Sequence, residues 1–159
     1  MKITIVCVGK IKEQFYRDAV SEYVKRLGKY VTVDVWEVAD EKTLDNASAA
    51  EERQVLSVEG ERILKQLNDD SYKIALCIDG NKTDSVGFAR KIEKIKLDGY
   101  SHIRFIIGGS LGLAPEVIKK ADMKLSFSDM TFPHQLMRVI LLEQIYRACR
   151  ISSNEPYHK

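Results

Sequence analysis

Apolar positions along this chain switch repeatedly between two rhythms. Residues 2–8, KITIVCV, form a short apolar, β-branched run and predict a strand. From Lys12 to Leu27 the apolar side chains recur at Phe15, Tyr16, Ala19, Val20, Tyr23, Val24 and Leu27, a helical spacing that Gly28 stops. Residues 31–38, VTVDVWEV, alternate again and predict a second strand. A polar, Ala-rich stretch then leads into a helix from Glu51 to Leu67. Gly60 interrupts that helix at a cost of about 1 kcal/mol relative to Ala, which implies close packing there. Residues 73–78, KIALCI, are almost wholly apolar and suit a central strand covered on both faces.

The second half repeats the alternation. DGNKTDS predicts a turn, with Asp84 or Ser85 capping a helix that runs to Leu97. IRFII at 103–107 predicts a fourth strand, Pro115 opens a short helix to Ala121, and MKLSF at 123–127 predicts the last strand. Pro133 opens the longest helix, reaching Arg150. Five strands alternating with five helices predict a three-layer α/β domain with a mainly parallel sheet, one domain over 1–159. Ligands of such sheets bind at the carboxyl ends of the strands. Three loops are placed there: Asp79–Asp84, Gly108–Ala114 and Ser128–Thr131.

Composition narrows the classes. Apolar residues make up 45% and charged residues 30% of the chain, and no apolar run approaches the roughly 20 residues of a membrane span. MKITIVCVGKIKE lacks a small-residue cleavage site and reads as a strand rather than a signal peptide, so a cytoplasmic protein is expected. The net charge of +2 neither demands nor excludes nucleic acid; a basic binding face must be local. Cys7, Cys77 and Cys149 show no CxxC spacing and are expected to be buried thiols. No two histidines have metal-ligand spacing, so no metal site is expected.

Three stretches carry candidate chemistry. GGSLG within FIIGGSLGLAP is neither a Walker A loop nor GxGxxG; its glycines serve either a tight turn or close approach of backbone to a ligand. Ser128-Asp129-Met130-Thr131 precedes a helix N-terminus, whose N–H groups either bind a polar ligand edge or are capped by Thr131 or Ser128. The helix that follows is apolar nearly all round, which predicts burial on two sides and hence a homodimer. Glu143 and Arg147 on it are spaced to pair. The tail joins Tyr157, His158 and Lys159: an aromatic able to stack on a base, an imidazole and a cation, or else a frayed end. His102 reads as a solvated turn residue and His134 as a neighbour of the last candidate loop.

Together, Phe105-Ile106-Ile107-Gly108-Gly109 with Gly112, Leu125 to His134, Glu143-Gln144-Ile145-Tyr146-Arg147-Ala148 and the terminal Tyr157-His158-Lys159 resemble the RlmH family of the SPOUT superfamily. The resemblance covers essentially the whole chain. It implies a methyltransferase that uses S-adenosylmethionine to methylate N3 of a pseudouridine in the helix 69 loop of 23S rRNA, working as a homodimer on assembled ribosomes. It also implies a C-terminal trefoil knot, against the general rule that chains are unknotted. Carried over, the cofactor contacts are Leu76, Gly108 and Phe127-Ser128-Asp129-Met130-Thr131-Phe132, with Gly109 and Gly80 as additions. His158 is the candidate base, Lys159 the cation stabilising an anionic base, and Tyr157 the group that positions or stacks on the target. Arg138, Arg147, Arg150, Lys10 and Lys12 are candidates for phosphate contacts. One departure concerns DGNKTDSVGFA. Family members often place a Gly just before the Lys and carry Ser-Glu where this chain has Val86-Gly87. The rival readings are a tRNA methyltransferase of the same superfamily and a non-catalytic RNA-binding α/β module. Flavodoxin-like electron transfer is set aside, because CVGKIKEQ has one Gly and no Ser/Thr cluster.

Overall fold

A computed structural model describes all residues from Met1 to Lys159. The elements run β1 (Lys2–Val8), α1 (Gln14–Leu27), β2 (Thr32–Val38), α2 (Ala49–Leu64), β3 (Tyr72–Lys82), α3 (Ser85–Leu97), β4 (His102–Ile107), α4 (Pro115–Lys120), β5 (Met123–Ser126) and α5 (His134–Ser152). The five strands form one sheet in the order β2-β1-β4-β3-β5, and every pairing is parallel. This is the expected three-layer α/β fold, and the strand–helix alternation explains it: each parallel step needs a helical crossover.

Two apolar layers cover the sheet. On one face Ile3, Ile5, Cys7, Ile103, Phe105 and Ile107 pack with Leu27 of α1, Phe88 and Ile92 of α3, and Leu141, Leu142 and Ile145 of α5. On the other face Val6, Val8 and Ile106 pack with Ile63 of α2, Leu67 beyond it, and Ala114 and Val117 at α4. Gly60 explains itself here. A Cβ at this position would stand 2.8 Å from Ala114 Cβ, so the missing side chain lets α2 close on α4.

Most bounds fall within two residues of the sequence pattern, and two elements, α2 and β3, depart further. α2 starts at Ala49 because Ser48 and Glu51 form a reciprocal capping box, with Ser48 Oγ accepting from the Glu51 N–H and Glu51 accepting from the Ser48 N–H. The expected turn over DGNKTDS is instead a bulge and a strand end. β3 pairs Leu76 with Leu125, leaves the ladder for Cys77–Gly80, and rejoins at Asn81↔Leu125 and Lys82↔Ser126. Gly80 permits this, because a Cβ there would lie 2.7–2.9 Å from the backbone of Lys124 and Leu125. Asp84 then caps α3 as expected, accepting the Gly87 N–H at 2.6 Å. A Cβ on Gly87 would collide with Thr83 Oγ1, which gives the departure at Val86-Gly87 a local cause.

At the amino ends of the strands, Arg104 donates through Nε and Nη2 to Asp69, holding that carboxyl well below the usual carboxylate range. His102 adjoins this cluster, with Nδ1 3.6 Å from Asp69 Oδ2 and Nε2 2.9 Å from Thr4 Oγ1, so it is not the solvated residue expected. Burial, first, and then the Arg104 cation push its pKa down.

Gly60→Ala gains helix propensity but forces a methyl group against Ala114. Overpacking outweighs the gain, and the variant is expected to lose about 1–3 kcal/mol. Urea denaturation measures the difference.

Candidate active site

β3 and β4 are neighbours, yet α3 leaves β3 on one face and α4 leaves β4 on the other. Such a divergence opens a crevice beyond the carboxyl ends of the strands. The crevice is a cavity of about 430 Å³, within the range of small-ligand sites. Three segments wall it: the β3 bulge from Leu76 to Asp79, the turn from Ile107 to Leu113, and the loop after β5 from Phe127 to Phe132. Ile118 of α4 and His134 and Met137 of α5 complete it.

The structure therefore brings together Leu76, Gly108, Gly109, Phe127, Ser128, Met130, Thr131 and Phe132, eight of the nine residues singled out for cofactor contact. The ninth, Asp129, lies outside the wall. It is exposed and forms an ion pair with Lys82, tying the last loop to the end of β3. Gly80 also lies outside; its role is the close passage over Leu125. Asp79, Leu111 and Leu113 line the cavity from the candidate loops, and Cys77, Ile78, Ile118 and Met137 line it without having been singled out. Cys77 and Ile78 follow Leu76 directly and were within reach of the sequence. Ile118 and Met137 are ordinary apolar helix positions that only the packing of α4 and α5 reveals.

The glycine turn is required first by the chain itself. A Cβ on Gly108 would collide with the Gly112 carbonyl, so Gly108 is required by the turn itself. Gly112 has φ +82° and donates its N–H to the Gly109 carbonyl at 3.1 Å; its Cα faces open space on the cavity side. Beneath the turn lies Glu59 of α2, only 4% exposed. A Cβ on Gly109 would sit 3.1 Å from its Oε2, and Oε1 accepts the Glu41 N–H at 3.1 Å. Oε2 has no hydrogen-bond partner. Burial raises the Glu59 pKa, the Asp40 and Glu41 charges add to this, and the Glu41 N–H and Arg62 oppose it.

The basic residues sort themselves. Arg138 is 1% exposed and clamps the end of β1: Nη2 donates to the Val8 and Gly9 carbonyls at 2.9 and 2.7 Å, and Nη1 to Glu37 at 2.8 Å. It is a buried clamp rather than a phosphate contact. Burial, then the Arg138 cation, push the His134 pKa down. Arg147 pairs with Glu143 and stacks on the Tyr157 ring at 4.6 Å. Arg150 pairs with Glu155 and donates to the Pro156 carbonyl. Lys10 and Lys12 are exposed beside the cavity end of the sheet. Of the thiols, Cys7 is buried and burial pushes its pKa up to about 11. Cys77 and Cys149 are only partly buried.

The tail does not enter this cavity. Tyr157 packs edge-on against Tyr146 and donates to Glu143 at 3.2 Å. His158 instead lines a second cavity, which shares the Leu125 and Phe127 walls with the first. Its Nδ1 lies 3.4 Å from Arg147 Nη1. Lys159 is exposed.

Glu59 yields a pH test. Its folded pKa lies above the unfolded one, so its carboxyl group favours the fold below the unfolded value and weighs against it as pH rises through the folded value. Glu59→Gln keeps the shape without the charge. Its stability relative to wild type is expected to rise from pH 4 to 8, read from denaturation curves at each pH.

With this geometry in place, comparison with known proteins is decisive for the family. The family described as "Predicted SPOUT methyltransferase" matches residues 1–158. A ribosomal RNA large subunit methyltransferase H from Bifidobacterium adolescentis is 59% identical over 159 residues, all of both chains. Among solved structures, the tRNA (m1G37) methyltransferase of Aquifex aeolicus aligns with a TM-score of 0.54 at 13% identity, over 92% of this chain and 70% of that one. A Legionella pneumophila protein solved in complex with the cofactor SAM aligns with a TM-score of 0.50 at 11% identity, over 96% of this chain and 66% of that one. The divergent crossovers, the glycine turn and the walled crevice are thus the fold of a methyltransferase, and the chain belongs to the SPOUT family, in its RlmH branch.

Proposed function

We propose that this protein is a homodimeric methyltransferase of the large ribosomal subunit, a single SPOUT domain acting in the cytoplasm, that methylates N3 of a pseudouridine in the helix 69 loop of 23S rRNA. One observation carries the reading: the crevice at the carboxyl ends of β3, β4 and β5 gathers Leu76, the Gly108–Gly112 turn and the Phe127–Phe132 loop around one cavity. Its relatives at high identity are named as ribosomal RNA large subunit methyltransferases, which supports the substrate class.

The cavity residues fit S-adenosylmethionine. Apolar walls from Leu76, Ile107, Leu125 and Phe127 suit a purine, and bare backbone at Gly112 admits close approach. When bound, the cofactor supplies an electrophilic methyl group. Leu76, Gly108, Gly109, Phe127, Ser128, Met130, Thr131 and Phe132 hold and orient it, and Asp129 secures the last loop through Lys82.

The acceptor nitrogen carries a proton at neutral pH and must lose it. His158, at the shared Phe127 wall, is the proton acceptor. A guanidinium only donates, and Arg147 Nη1 lies 3.4 Å from Nδ1, so Nδ1 is the nitrogen placed to accept. Release of Arg147 frees Nδ1 for the substrate proton. Lys159 then faces the anionic base and Tyr157 positions it. The tail acts in its own subunit or reaches its partner's.

Support for the dimer comes from α5. Leu136, Val139 and Ile140 share one face, are partly exposed, and belong to neither core layer. Phe15 of α1 is 64% exposed. Lys12 N–H donates to Gln135, so the start of α1 adjoins this face. The proposed trefoil knot draws support from the Gly80 crossing over Leu125, just where β3 meets the chain that leads into α5.

Two measurements test the reading. Purified ribosomes or large subunits should accept labelled methyl from S-adenosylmethionine and tRNA should not; the reverse result favours the tRNA rival. Deletion of Tyr157–Lys159 should reduce kcat by about 100-fold or more, the scale of a lost acid–base group. Unchanged methylation would make the tail a solvated end.

A further inference from the structure

The second cavity, behind Phe127, encloses about 360 Å³. Phe88 and Phe127 give it apolar ring surfaces, and Thr83, Asp84, Ser85, Ser126, Gln144 and His158 give it polar groups. The two cavities share Leu125 and Phe127 as walls. An acceptor base must lie against the donor cavity, because transfer requires the two reacting atoms within about 3–3.5 Å.

Gln144 sets what this cavity reads. Its Nε2 donates to Glu143 at 2.8 Å, and its Oε1 accepts from Ser85 Oγ at 2.8 Å. Those two bonds fix the plane of the carboxamide. They leave one N–H and one lone pair, a donor beside an acceptor. The complement is an amide edge: an N–H next to a C=O. Glu143 also accepts from Arg147 and Tyr157, so the same carboxylate orders Gln144 and the tail.

We propose that this cavity holds the acceptor base and that Gln144 reads the N1–H and C2=O edge of a pseudouridine. The assignment rests on the substrate reading above. In a C-nucleoside the sugar is bonded to carbon, so N1 keeps its hydrogen beside C2=O. In uridine the sugar occupies N1 and the edge is gone. N3, on the far side of C2, stays free for the shared wall and for His158. Gln144 is thus a specificity residue that separates pseudouridine from uridine.

The test compares methylation of ribosomes carrying pseudouridine at the target with ribosomes from a strain lacking the synthase, which carry uridine. Wild type is expected to prefer pseudouridine. Gln144→Leu should lower kcat/KM on pseudouridine ribosomes about tenfold or more and change the uridine value little, so that the preference collapses. Gln144→Glu, which keeps the acceptor and loses the donor, should collapse it too and serves as the check should the leucine variant fold poorly. Affinity for S-adenosylmethionine by calorimetry should stay unchanged in both. Retention of the wild-type preference, an equal loss on both substrates, or a loss of cofactor affinity would each overturn the assignment. Methylation of neither ribosome by wild type would overturn the substrate reading beneath it, and the assignment with it.

Discussion

Everything about the site depends on backbone touching backbone at the carboxyl ends of β3 and β4. Gly80 lies against Leu125, and Gly108 lies against Gly112. Neither position has room for a Cβ. The first contact lets β3 bulge outward and still rejoin β5. The second folds the chain after β4 into a turn narrow enough to leave a cavity beside it. The glycines are required chiefly by the chain's own crossings, and the cavity is what those crossings leave open. At Gly112, by contrast, a Cβ would meet nothing within 4 Å, and its need for glycine comes from its φ of +82°.

α5 locks this arrangement in place. Arg138 is buried at the end of β1, where two carbonyls and Glu37 pair with its Nη groups and Nε is left without a partner. A buried cation is tolerable only with such partners, and removing them costs more than the pair gains. The clamp brings His134 and Met137 to the cavity wall at one end of the helix. Near the other end Glu143 gathers Gln144, Arg147 and Tyr157. One helix thus joins the sheet, the first cavity and the tail.

Much of this was legible in the sequence. The strand–helix rhythm gave five strands and five helices, and Gly60 announced its own close packing. The strand ends pointed to the three loops, but the eight cavity residues were named through the family resemblance, with Gly109 added to it. What escaped had physical causes. The β3 bulge looked like a turn, since Asp-Gly-Asn is turn chemistry wherever it occurs. Arg138 looked like a surface cation, since helical periodicity cannot show that β1 ends beneath it. Glu59 and Gln144 are polar helix residues whose partners lie 18 and 59 residues away, and no local pattern encodes such pairings.

Amide hydrogen exchange with and without S-adenosylmethionine tests the central claim most directly, because it maps the cofactor onto the chain without altering a residue. The account predicts slowed exchange confined to three segments: the β3 bulge at 76–80, the turn at 107–113 and the loop at 127–132. Protection centred instead on the cluster around Asp69 and His102, at the opposite end of the strands, or no protection at saturating cofactor, would contradict it.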